Sequence, residues 1–274
     1  MESNDAPVAV VVARPVTIVA RPPVSSVLPE ITPRNAILDA ILIFLIAIGF
    51  HYAPAILLGE SGTMSEGKLD EIAVIVKWLE AALVVVLAGY LILRNGVRPT
   101  SLGIRTQRPL VQVTWGFAGL IGGYFYMFLT FVVAMALYSL LPHAEQDLKH
   151  RMDFVSIMPV NDLWITITLL SAVALHEELL FRGMLLPLLR RACGSWWPAV
   201  LISSMIFGAL HFQQGWLGMV QVSGLSLVFS LVFIQSRSLL AVMVAHFGFD
   251  FLQFQLLRVL LPFIEKWQRE GALG

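Results

Sequence analysis

His176-Glu177-Glu178-Leu179-Leu180-Phe181-Arg182-Gly183 sits inside a long, mostly apolar run that extends from Trp164 to Leu189. A charge at the centre of a bilayer costs at least about 2.5–3.5 kcal/mol, so two carboxylates and a guanidinium there need partners or a purpose. On a helix Glu178 and Arg182 are four residues apart on one face, in the favourable acid-first order. Glu177 points about 100° away. One carboxylate is therefore neutralised by its own helix, and Glu177 is left for chemistry.

The composition around this stretch is that of a membrane protein. Of 274 residues, 58% are hydrophobic and 13% charged, against about 45–50% and about 25% in soluble domains. Several mostly apolar runs reach the length needed to span a bilayer, about 18 residues or more. The expected fold is an all-α, polytopic transmembrane helical bundle of about seven to eight spans, with the active site inside the membrane. Zero formal net charge argues against nucleic acid as a partner. Cys193 is the single cysteine, which rules out an internal disulfide or a thiolate zinc cluster.

Residues 1–34 form a Pro-rich segment, with Pro7, Pro15, Pro22, Pro23, Pro29 and Pro33 breaking short Val/Ala runs. It reads as a disordered tail. Residues 35–159 hold the first three spans, Asn35–Leu58, Ile72–Leu93 and Leu110–Leu141, and their connections. Lys77 and Glu80 are read as interfacial or turned toward other helices. Gly119 and Gly123, with Gly116 and Gly122 beside them, make a face of small residues suited to close helix packing. The 142–159 loop carries His143, Glu145, Asp147, His150 and Asp153, a set read as a solvated flank in preference to a metal site. Residues 160–264 form the core that holds the motifs, with spans at Leu163–Arg190, Trp197–Phe212, Leu217–Ile234 and Leu239–Phe263; residues 265–274 are a polar C-terminal tail. Lys and Arg gather in the tail, in 94–108 and at Arg190/Arg191. The positive-inside rule then makes the N-terminus cytoplasmic.

Few other strongly polar groups lie at membrane depth. His211 ends the run that begins at Ser203, and His246 and Asp250 are one helical turn apart on the same face. Glu177 and His211 lie equally far from the turn at Gly194, so a rise of about 1.5 Å per residue brings them to similar depth. One cluster of Glu177, His211, His246 and Asp250 is thus allowed. Taken singly, each has a structural reading: a hydrogen-bonded core histidine, a helix-stabilising bridge, a commonplace His-x-x-x-Asp pair. Together, in consecutive apolar spans, they point to function.

Glu177-Glu178-x-x-x-Arg182, Phe207-x-x-x-His211 and His246-x-x-x-Asp250 resemble the three motifs of the CPBP family. That family holds the type II CAAX prenyl endopeptidases and the Abi bacteriocin-immunity proteins. The resemblance covers about residues 160–260, with Leu180-Phe181-Arg182-Gly183 also family-like. It implies an intramembrane endopeptidase whose catalytic residues are Glu177, His211, His246 and Asp250. Glu177 would be the general base and His211 would share and steer the water. His246 would face the oxyanion or leaving amine, with Asp250 fixing its tautomer. Glu178, Arg182 and Phe207 would support the site. Zinc or another divalent metal on Glu177, His211, His246 and Asp250 is one implied option, and a metal-free glutamate mechanism the other. Asp250 stands where the prenyl endopeptidases carry Asn. Implied partners are the lipid bilayer and a membrane-bound protein or peptide substrate reached from the cytoplasmic side, a prenylated CAAX terminus being one option. The Pro-interrupted tail and a polytopic chain without eukaryotic targeting features suggest a multi-pass protein of a bacterial plasma membrane. A proton-coupled transporter and a non-catalytic adaptor or immunity protein are the competing classes.

Overall fold

The computed structural model describes residues 27–58, 66–137 and 162–269. The Pro-rich stretch before Val27, the acidic stretch before Glu66, the residues of the expected 142–159 loop and the last five residues lie outside them. The described residues are mostly helical, without strands. The helices are α1 Pro33–Leu58, α2 Glu66–Asn95, α3 Pro109–Leu137, α4 Leu163–Glu178, α5 Leu186–Cys193, α6 Trp196–Ala209, α7 Gly215–Ser236 and α8 Leu239–Arg269. A π-helical segment, Leu179–Leu185, joins α4 to α5. Short 3₁₀ turns lie at Pro99–Leu102 and Phe212–Gln214.

Six of these stretches are long and apolar enough to cross a membrane, α4 to α5 counting as one. Their outer faces are apolar: Ile37, Ile41 and Leu45 on α1, and Phe117, Ile121, Phe125 and Phe128 on α3, are all exposed. In water such faces would be untenable; against lipid they are the favourable state, because every backbone group is already satisfied within its helix. The chain is a multi-pass membrane protein.

The connections that carry the cationic residues meet at one end of the bundle. Leu239 N–H donates to Gly103 C=O at 2.9 Å, Arg190 and Arg237 both lie over the Trp196 ring at 5.3 and 4.9 Å, and Arg191 donates to the Ile31 carbonyl. Residues 27–34 differ here from the tail reading: Leu28 and Ile31 are buried. Their apolar side chains have a hydrophobic groove to fill, and burial outweighs the local proline content. The polar C-terminal stretch also differs in part, since α8 runs on to Arg269 through Pro262.

α6 is the exception among the spans. It has 14 residues, a length of about 21 Å against a hydrocarbon core of about 30 Å. The span expected at Trp197–Phe212 is therefore a short helix that starts at the basic end and stops within the bundle. The chain turns at Leu210–Gln214 and returns as α7.

Glycines let these helices approach closely. A Cβ at Gly116 would meet the Val244 side chain and Ala241 O of α8 at 2.6–2.9 Å, and one at Gly119 would meet Ala245 at 3.0 Å. The small-residue face of α3 is therefore spent inside the chain. At Gly208 a Cβ would clash with Ser223 Oγ and come within 2.6 Å of Met219 O on α7; backbone cannot swing aside as a side chain can. Gly208→Ala should push α6 off α7 and lower the melting temperature in detergent. Gly122→Ala, whose Cβ would sit at an ordinary 3.5 Å from Val228, should leave it nearly unchanged.

Candidate active site

The ion pair expected on the opening stretch is present: Arg182 Nη1 donates to Glu178 Oε1 at 2.8 Å, and both side chains are fully buried. Arg182 lies in the π-helical segment, an arrangement found often at functional sites. Its second terminal nitrogen donates to Ser226 Oγ and O of α7 at 2.9 and 3.2 Å. Its planar head packs between the rings of Phe207 and Phe229 at 4.9 and 5.7 Å. Phe207 thus supports the site by covering a buried cation, and it stacks edge-on against Phe181 of the π segment.

Glu178 has a second duty that helix periodicity does not reveal. Its Oε1 also lies 2.7 Å from His246 Nδ1, so one carboxylate oxygen ties α4 to α8 and to Arg182. An ionised carboxylate only accepts, which places a proton on Nδ1. The other ring nitrogen, Nε2, faces Asp250 Oδ2 at 3.2 Å and Glu177 Oε2 at 3.9 Å. The tautomer-fixing contact implied for Asp250 is therefore made by Glu178. Nε2 therefore sits between two carboxylates.

Glu177 is turned off the Glu178–Arg182 face, as the helix geometry requires. Its Oε2 is buried without a hydrogen-bond partner, while the side chain keeps 17% exposure. Glu178 Oε2 is likewise buried without a hydrogen-bond partner, so partial exposure is what sets Glu177 apart.

His211 joins this group from the end of α6 as an electrostatic neighbour of Glu177. Its position follows from how α6 ends. The His211 N–H bonds Gly208 O at 3.0 Å, which leaves the Phe207 carbonyl without the donor a continuing α-helix would supply. His211 Nδ1 lies 2.7 Å from that carbonyl, so Nδ1 carries a proton. The structure thus brings Glu177, Glu178, Arg182, His246 and Asp250 into direct contact, with His211 at the edge.

A second polar group lies behind the first. Glu80 of α2 is only 2% exposed and accepts from Lys77 Nζ at 2.9 Å. It also lies 3.3 Å from His51 Nδ1 of α1 and 3.5 Å from His176 Nδ1 of α4. Lys77 and Glu80 do face other helices. That His51 and His176 complete the group was not legible, because they come from separate spans without a spacing rule between them.

The segment that carries all of the first group also carries the family signal. Residues 159–252 match the family model of the Rce1-like type II CAAX prenyl endopeptidases. The match opens just before α4 and closes two residues after Asp250, and it supports a protease of the membrane-embedded kind. No curated protein and no solved structure matches the chain. Among the described residues no three His, Cys, Asp or Glu side chains gather as a metal-binding set.

Arg182→Ala would leave Glu178 buried with only His246 to compensate it. Breaking a buried pair costs about 3–5 kcal/mol, so the variant should melt markedly earlier in detergent and give a lower folded yield. The double variant Arg182→Met/Glu178→Gln should recover part of that loss.

Proposed function

We propose that the chain is an intramembrane endopeptidase in which Glu177 activates the attacking water. The observation that carries this reading is the buried, unpartnered Glu177 Oε2 beside His246 and off the Glu178–Arg182 pair. Glu177 takes a proton from water as the oxygen attacks the scissile carbonyl carbon. The C–N bond then breaks, and the proton passes to the leaving amine. His211 Nε2 accepts a hydrogen bond from the same water and steers its lone pair. A proton carried on His246 Nε2 or on Asp250 would face the developing oxyanion, where a preorganised donor lowers the barrier.

The family's chemistry implies substrates that are membrane-bound proteins or peptides with a prenylated CAAX terminus. The chain is read as a multi-pass protein of a bacterial plasma membrane, with its basic end and N-terminus in the cytoplasm by the positive-inside rule, so an unprenylated membrane-bound protein or peptide is the other substrate option. His211 lies 15 residues beyond Trp196, about 22 Å from the basic end if α6 is straight, so the substrate reaches well into the bilayer.

Glu177→Gln should lower cleavage of a prenylated CAAX peptide by about 10²–10⁴ while leaving the melting temperature nearly that of the parent. Full turnover by the purified variant in nanodiscs would reject Glu177 as the base. Unprenylated and transmembrane peptides, assayed alongside, identify the substrate class.

Asp250→Asn should keep substantial activity, because an amide N–H supplies the donor that a neutral aspartate supplies; Asp250→Ala should not. An inactive Asn variant that also loses metal by mass spectrometry would instead favour a metal-ligand role. Rates across pH for both variants make the comparison.

A further inference from the structure

At the basic end, the loop before α3, the first turns of α3 and the end of α7 enclose a cleft of about 530 Å³. It is lined by Arg105, Gln107, Arg108, Gln112, Trp115 and Gln235. That volume lies within the range of about 300–1,000 Å³ typical of small-molecule sites.

The cleft is rigidly framed and cationic. Gln112 Nε2 donates to Gln107 O at 2.7 Å, and its side-chain oxygen accepts from Ser238 Oγ. This side chain staples the arginine-bearing loop to α3 and to the start of α8. Arg108 has φ +52°, a left-handed conformation unusual for a residue with a side chain. Among the described residues, neither Arg105 nor Arg108 has a carboxylate partner; the ion pair at this end is Arg94–Asp39 at 3.0 Å. Arg237, next in the chain to Ser236 on the cleft wall, stacks on Trp196 outside the lining but close enough to feel Arg105. Burial first, and then the charges of Arg105 and Arg190, weaken its hold on its proton. Like charges gathered in this way repel one another, and an anion in the cleft would relieve them.

Two guanidinium forks match the oxygens of a phosphate. Trp115 supplies the ring that membrane proteins place at headgroup level, and basic pockets between spanning helices take anionic headgroups. We propose that the cleft binds a phosphate group, that of an anionic phospholipid headgroup, through Arg105 and Arg108. This site is independent of the proteolytic reading, and its test does not use activity.

The full chain would be reconstituted in nanodiscs of phosphatidylcholine with or without phosphatidylglycerol, and retained lipid counted by native mass spectrometry. Phosphatidylglycerol should be retained over phosphatidylcholine. Arg105→Gln/Arg108→Gln should weaken that retention by about tenfold or more. Arg98→Gln removes one charge from the same end outside the cleft lining, and should retain the lipid. Equal melting temperatures in pure phosphatidylcholine show that the double variant is folded. Saturable binding of glycerol phosphate in detergent, without preference among lipids, would assign the site to a soluble phosphate. Equal retention of both lipids with no glycerol phosphate binding, or equal loss in Arg98→Gln, would overturn the proposal.

Discussion

The buried contact between Glu178, Arg182 and His246 is the constraint on which the site depends. Two fully buried charges are tolerable in a membrane only if paired and hydrogen-bonded. Arg182 meets this condition through Glu178, Ser226 and two aromatic rings, drawn from α4, α6 and α7. Glu178 then reaches α8 through His246. Carbonyl, hydroxyl, carboxylate and ring partners thus come from helices far apart in sequence, and the pair fixes how those helices sit around Glu177.

Division of labour between two neighbouring glutamates follows from this arrangement. Glu178 is fully buried and held by two donors on one oxygen, so it keeps its place. Each glutamate leaves a buried Oε2 without a hydrogen-bond partner, and Glu177 differs in keeping partial exposure. The His51–Lys77–Glu80–His176 group adds a second set of polar side chains directly behind α4. It locks α1 and α2, which lie outside the family-matched segment, onto the helix that presents Glu177.

Close packing does the rest. Without a hydrophobic drive between helices in lipid, association depends on van der Waals fit and interhelical hydrogen bonds. Gly116, Gly119 and Gly123 bring α3 against α7 and α8, and Gly208 brings α6 against α7. Tyr124 adds a hydrogen bond to Phe249 O at 3.1 Å, one residue before Asp250. The short α6 can then stop within the bundle and leave His211 at its end.

Local periodicity was enough to determine the helical membrane class, most span positions, the Glu178–Arg182 pair and the turning-away of Glu177. These are properties of one helix, and 3.6 residues per turn sets them wherever that helix packs. Two of the three polar motifs likewise supplied side chains that lie together, Glu177, Glu178 and Arg182 beside His246 and Asp250. Only the tertiary structure decided that Glu178, and not Asp250, takes His246 Nδ1. The same holds for His176 and His51 joining Glu80, for residues 27–34 packing into the bundle, and for α6 ending short. Each of these depends on the rotation and depth of one helix against another. Those are set by side-chain fit across the whole bundle, and no spacing within a single span encodes them.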